Sequence, residues 1–164
     1  MSTLPIVRWP DSRLREKCED VGGVTPDIQA LAADMLRTMY AAPGRGLAGP
    51  QVGAMIRLFV MDEGWKEGTP TPVVMVDPVI EWASPDQVLM EEGCLSIPGI
   101  SVDVLRPVQV RMRWTDLEGG THNQMLTGAA ARIAQHEFDH LNGIVTFDRL
   151  APDARAQAER EYAA

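Results

Sequence analysis

The chain has 164 residues, of which 45% are hydrophobic and 23% charged, and its 23 acidic and 15 basic side chains give a formal net charge of −8. That length suits one substantial core, so one domain is expected over 1–164, and the composition is too apolar for a disordered protein. The charge opposes broad attraction to nucleic-acid phosphates or anionic lipid, and neither is expected as a direct partner.

Two cysteines, Cys18 and Cys94, are too few for a disulfide scaffold, although one Cys18–Cys94 bridge is an available reading. The apolar runs Leu58–Met61 and Val73–Val76 are far too short to span a bilayer, and Met1 to Pro10 carries no apolar signal core. The chain is therefore expected in the cytoplasm.

The first strong helical pattern runs from Thr25 to Ala42. Thr25 can cap it, Pro26 suits the first turn, and Ile28, Leu31, Ala32, Met35, Leu36 and Met39 recur at helical spacing. Pro43 and Gly44 end it, and GRGLAGPQVG at 44–53, with four glycines and a proline, predicts a loop or a tight backbone approach.

Strand-leaning runs follow at Ile56–Met61, Val73–Val76, Val79–Trp82, Val88–Glu91, Val102–Leu105, Val108–Trp114 and His122–Met125. Turn signals such as Asp77-Pro78, Ser84-Pro85 and Glu118-Gly119-Gly120 separate them. Alternation of Val108, Val110, Met112 and Trp114 with Gln109, Arg111 and Arg113 predicts a half-buried strand, and the short connections predict antiparallel pairing. A second helix is expected from Gly128 to Leu141, stopping at Asn142-Gly143, and a short terminal one from Pro152 to Tyr162. Strands followed by a chemistry-bearing helix indicate an α+β fold.

That chemistry lies in HEFDH at 136–140. His136 and His140, four residues apart on a helix, place both imidazoles on one face, where a single metal can bridge them. Glu137 is next along the chain, about 100° around the helix, beside the ligand face and placed to act as a general base. A catalytic metal usually takes three protein ligands and keeps an open position. Cys94 and His122 are the candidates for the third. Cys94 is favoured, because a thiolate in the turning segment EEGCLSIPG is the stronger and softer donor, and His122 is read as a strand or surface histidine.

Together, GRGLAGPQVG at 44–53, EGCLSIPG at 92–99 and QHEFDHLNG at 135–143 resemble the three signature motifs of the peptide deformylases, in the family's order. The similarity runs from about Leu4 to Leu150. It implies antiparallel sheets around a central helix carrying the HEFDH motif, and hydrolysis of the formyl group from the N-terminal N-formylmethionine of newly made polypeptides.

By matching position, the resemblance puts the metal ligands on Cys94, His136 and His140, the general base on Glu137, and the oxyanion-stabilising groups on the Gln51 side chain and the Leu95 backbone N–H. It pairs Glu92 with Arg106 behind the cysteine turn. Gly44 and Gly46 would admit an extended peptide, Arg45 would lie at its entrance, and Ile133 would line the pocket for the methionine side chain. The donor set permits Zn2+, Ni2+ or Co2+, and the family points to one Fe2+ per chain. Transient ribosome association is also implied, although the tail after Leu150 is not basic. Three positions leave the family pattern: Gly49 for alanine, expected to loosen the loop bearing Gln51; Arg45 for an aliphatic residue, expected to narrow or charge the mouth; and Asp77 for asparagine. The competing readings are a deformylase-like module that binds metal and peptide N-termini with little turnover, and a metallopeptidase.

Overall fold

The computed structural model describes residues 3–164, so the start of the expected leaderless N-terminus, Met1 and Ser2, lies outside the described residues. Helix α1 (Pro26–Ala41) begins where the Thr25 hydroxyl accepts the Ile28 N–H, and it buries Ala32, Met35, Thr38 and Met39 along one face. The glycine-rich run after it differs from the expected loop. Gly46–Ala48 is an edge strand, β1, and Gly49–Val52 a short 3-10 helix. Pairing with β2 (Leu58–Met61), Leu47 opposite Val60, supplies the hydrogen bonds that outweigh the poor strand propensity of glycine.

Strand β3 (Val73–Ala83) joins two runs that the Asp77-Pro78 signal was expected to separate. Register shifts on either side of Val79–Ile80 absorb the interruption. Asp77 takes a left-handed backbone, φ 49°, and its carboxylate accepts the N–H groups of Val21 at 2.7 Å and Gly22 at 3.0 Å. Those bonds offset the unfavourable conformation, which aspartate tolerates better than most residues.

The remaining strands are β4 (Gln87–Cys94), β5 (Ile97–Pro107), β6 (Gln109–Thr115) and β7 (Thr121–Thr127), and all strand pairs are antiparallel. They form a five-stranded sheet, β1-β2-β3-β6-β7, and a two-stranded one, β4-β5. The second extends the first. Ser84 N–H donates to Gln109 O at 2.9 Å and Val108 N–H to Asp86 O at 3.1 Å, while the Ser84 hydroxyl bonds both Gln109 N–H and Asp86 O. Residues 73–94 and 97–115 thus make one long ribbon, bent at Ser84–Asp86, with Cys94 at its tip.

Helix α2 (Gly128–Leu141) follows β7 at once, because Gly128 at φ 57° turns the chain without an intervening loop. Alternation along β2 sets the layers: Leu58 and Val60 join Met35 and Met39 of α1, whereas Phe59 and Met61 join Ala131, Ala134 and Leu141 of α2. On β6, Val110, Met112 and Trp114 are buried and Arg111 and Arg113 exposed, as the pattern predicts. Helix α3 (Pro152–Ala163) adds Ala158 to a separate cluster with Ile97, Val145 and Phe147. Antiparallel sheets around the HEFDH helix are the expected α+β class. Among the described residues no helix is long and apolar enough to cross a membrane.

Candidate metal centre and active site

Packing of α2 against the sheet buries His136, Glu137 and His140 together. Their four-residue spacing brings the two imidazole centroids to 5.0 Å. The ribbon tip delivers Cys94, whose Sγ lies 3.5 Å from His140 Nε2, and the ligand atoms of Cys94, His136 and His140 all lie within 4.8 Å of one another. Both cysteines are free, which removes the bridged alternative. His122 stays on β7, stacked on Trp114 at 5.1 Å and bonded to Asp116 at 2.6 Å, apart from this cluster.

The donor set fits a small divalent cation. A sulfur and a nitrogen bound tetrahedrally to one such ion stand about 3.5 Å apart, which the Cys94–His140 pair already satisfies. Two buried polar atoms of the site, Glu137 Oε1 and His140 Nδ1, have no partner among the described residues. Burial, with His136 and Arg106 nearby, holds His140 well below the ordinary histidine range and so keeps it neutral, the form that ligates. At His136 burial opposes protonation, but Glu137, Cys94 and Glu92 outweigh it and raise its pKa well above the ordinary value. The surroundings of that ring therefore favour a positive charge.

Burial pushes the Glu137 carboxyl up to about 7, near the value a general base needs at neutral pH. Behind it, His136 Nδ1 bonds Glu92 Oε1 at 3.0 Å, which leaves Nε2 facing the cluster. Arg106 forks onto Glu92 at 2.6 and 2.9 Å, as expected, and also reaches Asp139 at 2.9 Å. Burial works against ionisation of Glu92, yet the His136 and Arg106 bonds prevail and hold it at about 2.

Sequence reasoning missed four members of this region. Arg132, one turn before His136, bonds Glu92 and the carbonyls of Val88 and Val104, tying α2 to both strands of the ribbon. Asp139 and Arg149 extend the charged network. Ser96 holds Gln51: its hydroxyl accepts Gln51 Nε2 at 3.0 Å, while Gln51 Oε1 accepts Ala48 N–H at 2.9 Å. Arg132 and Asp139 share the histidine helix and could have been weighed from spacing. Ser96 lies within the EGCLSIPG motif and Arg149 just beyond the histidine helix, but nothing local to either names its partner.

Cys94, His136, Glu137, Glu92, Gln51 and Arg132 line a cavity of about 590 Å³ together with Gly44, Gly46, Met90, Leu95 and Ile133. A Cβ on Gly46 would meet Glu137, and one on Gly44 would meet the Leu95 side chain. The close approach at these glycines is thus to the protein itself as well as to the cavity. Leu95 follows Cys94 in the tight turn joining β4 to β5. Arg45 also lines the cavity, with its guanidinium 2.7 Å from Glu67. At Gly49, where a looser loop was expected, a Cβ would lie 2.5 Å from Ala54 O and 2.8 Å from Ile56 O, so glycine permits a close backbone approach there.

Residues 3–156 match the family model of the polypeptide deformylases. A peptide deformylase of Afipia carboxidovorans is 44% identical over 162 residues, covering 99% of this chain and 95% of its own. The crystal structure of peptide deformylase from Thermotoga maritima shares 37% identity at a TM-score of 0.86, over 92% of this chain and 99% of that one. The enzyme from Ehrlichia chaffeensis, solved in complex with actinonin, shares 38% at 0.92, over 98% and 96%. Agreement in sequence and fold across nearly the full length places this chain in the polypeptide deformylase family, metal-dependent hydrolases that remove the formyl group from the N-terminus of nascent peptides.

Proposed function

We propose that this chain acts as one catalytic domain whose Cys94, His136 and His140 hold a single Fe2+, with Glu137 as general base. The observation that carries this reading is the 3.5 Å approach of the Cys94 sulfur to His140 beside a buried, unpartnered carboxylate oxygen of Glu137. When bound, such an ion supplies Lewis acidity, lowering the pKa of water and polarising a carbonyl. Glu137 takes the proton of the attacking water as its oxygen bonds to the formyl carbon. The Gln51 Nε2 group and the Leu95 N–H donate to the oxygen that gains charge, each donor being worth about 3–4 kcal/mol in a dry site. Glu137 then passes the proton to the amine nitrogen as the carbon–nitrogen bond breaks, releasing formate.

Gly44, Arg45 and Gly46 line the path of the peptide, Ile133 receives the methionine side chain, and Glu92 with Arg106 fixes His136. The enzyme works in the cytoplasm on nascent chains, with only transient ribosome association, consistent with its net charge of −8. Anaerobic purification, elemental analysis and formate release from a formyl-Met peptide, measured on one sample, test the reading. Turnover is expected with iron bound and is lost in Glu137→Ala. A metal-loaded wild type that binds the peptide without releasing formate would instead support a non-catalytic recognition module.

A further inference from the structure

The mouth of the cavity carries a lysine with no role in the chemistry above. Lys66 lies in a short 3-10 helix, Trp65–Glu67, and lines the same cavity as Gly44, Arg45 and Gly46. This turn is built onto the glycine loop. The Trp65 indole N–H donates to Gly44 O at 2.9 Å, Asp62 N–H to Arg45 O at 2.9 Å, and Arg45 to Glu67 at 2.7 Å. Tyr40 closes edge-on against Trp65 at 5.1 Å and donates its hydroxyl to the buried Asp62 carboxylate, which also accepts the Thr71 N–H at 2.9 Å. The position of residue 66 is thereby fixed relative to the loop that flanks the substrate path.

The charges around the mouth are unequally engaged. Arg45 shares its charge with Glu67, and Arg132 is committed to Glu92 and two carbonyls. Lys66 is exposed, lies 5.9 Å from the Trp65 ring centroid, and pairs with no carboxylate among the described residues. Across the cavity the β4 wall contributes Glu91. An extended peptide leaving the site turns alternate side chains towards opposite walls, so only certain positions after the methionine face Lys66.

We infer that Lys66, held against the glycine loop by Trp65, is a specificity-determining residue that favours formyl-Met peptides with an acidic side chain at one of the three positions after methionine. This rests on the deformylase reading above. The test compares tetrapeptides with Asp or Asn at the second, third or fourth position, each ratio of kcat/KM being taken within one enzyme preparation. At low ionic strength the Asp peptide is expected to lead by about threefold at one position, the size of an exposed ion pair, and the lead shrinks at high salt.

In Lys66→Ala that ratio falls to about one, and in Lys66→Glu it falls below one, in line with an exposed pair of either sign. Calorimetric binding of the same peptides to the Glu137→Gln variant should reproduce the order without turnover. Ratios of one or less at all three positions in the wild type, or a ratio unmoved by Lys66→Glu, would overturn the inference. No formate from any peptide would overturn the deformylase reading itself, whereas equal release from Asp and Asn peptides removes only the role of Lys66.

Discussion

A Cβ on Gly46 would lie 2.5 Å from Glu137 Oε2 and 2.9 Å from its carboxyl carbon, so strand β1 forms the wall against which the base rests. The added methyl of Gly46→Ala has to displace that carboxylate, the free end of a side chain, and the backbone can stay in place. The variant should fold normally by circular dichroism. Its kcat should fall by about 100-fold, the usual effect of misplacing a reacting group by about 1 Å, with a smaller change in KM.

Metal removal should distinguish the two cysteines. Cys18 is buried, and burial is the largest influence raising its pKa, whereas Cys94 is half-buried at the edge of the cavity. Chelation is expected to abolish activity and to release one fast-reacting thiol out of two, identified as Cys94 by alkylation and peptide mapping. Restoring the metal should protect it. Modification of Cys18 at the same rate would contradict this arrangement.

Glu92 should contribute to the acid dependence of stability. Its carboxyl sits at about 2 in the folded protein against an ordinary 4.5. The stabilisation is therefore fully present above about 4.5 and is lost as pH falls from there towards about 2. Denaturation curves should show a shallower loss in Glu92→Gln than in the wild type over that window, with a difference on the order of 3 kcal/mol. The same substitution weakens support for His136, and metal affinity should drop by about 10- to 100-fold.

Gly49→Ala restores the residue expected at this point of the motif, yet here it should destabilise. The new methyl would press on the carbonyl oxygens of Ala54 and Ile56, which are backbone and cannot swing aside. A loss of about 1–3 kcal/mol is expected, typical of overpacking, with a lowered melting temperature. Unchanged stability would mean that the 54–56 segment yields easily.

The HEFDH site was legible because helical periodicity alone puts His136 and His140 on one face, and Cys94 stood out by donor chemistry. The half-buried β6 could likewise be read from its alternation. Strand β1 could not, because three residues inside a glycine-rich run become a strand only when β2 lies beside them. Asp77-Pro78 read as a break because the Val21 and Gly22 N–H groups that make the bulge tolerable come from a segment far away in sequence. The roles of Ser96 and Arg149 could not be read for the same reason, since their partners Gln51 and Asp139 lie on other elements.

The bent ribbon has a geometric consequence for Cys94. Its alignment with the histidines is set by the pairing of β4 with β5, from Gln87 opposite Pro107 to Cys94 opposite Ile97, and by Arg132, which ties both strands to α2. Deleting one residue of β4 would draw the thiol back by about 3.3 Å and turn it to the reverse side. A single-residue deletion at Leu89, whose own side chain does not line the cavity, should thus dismantle the centre as completely as losing the sulfur itself.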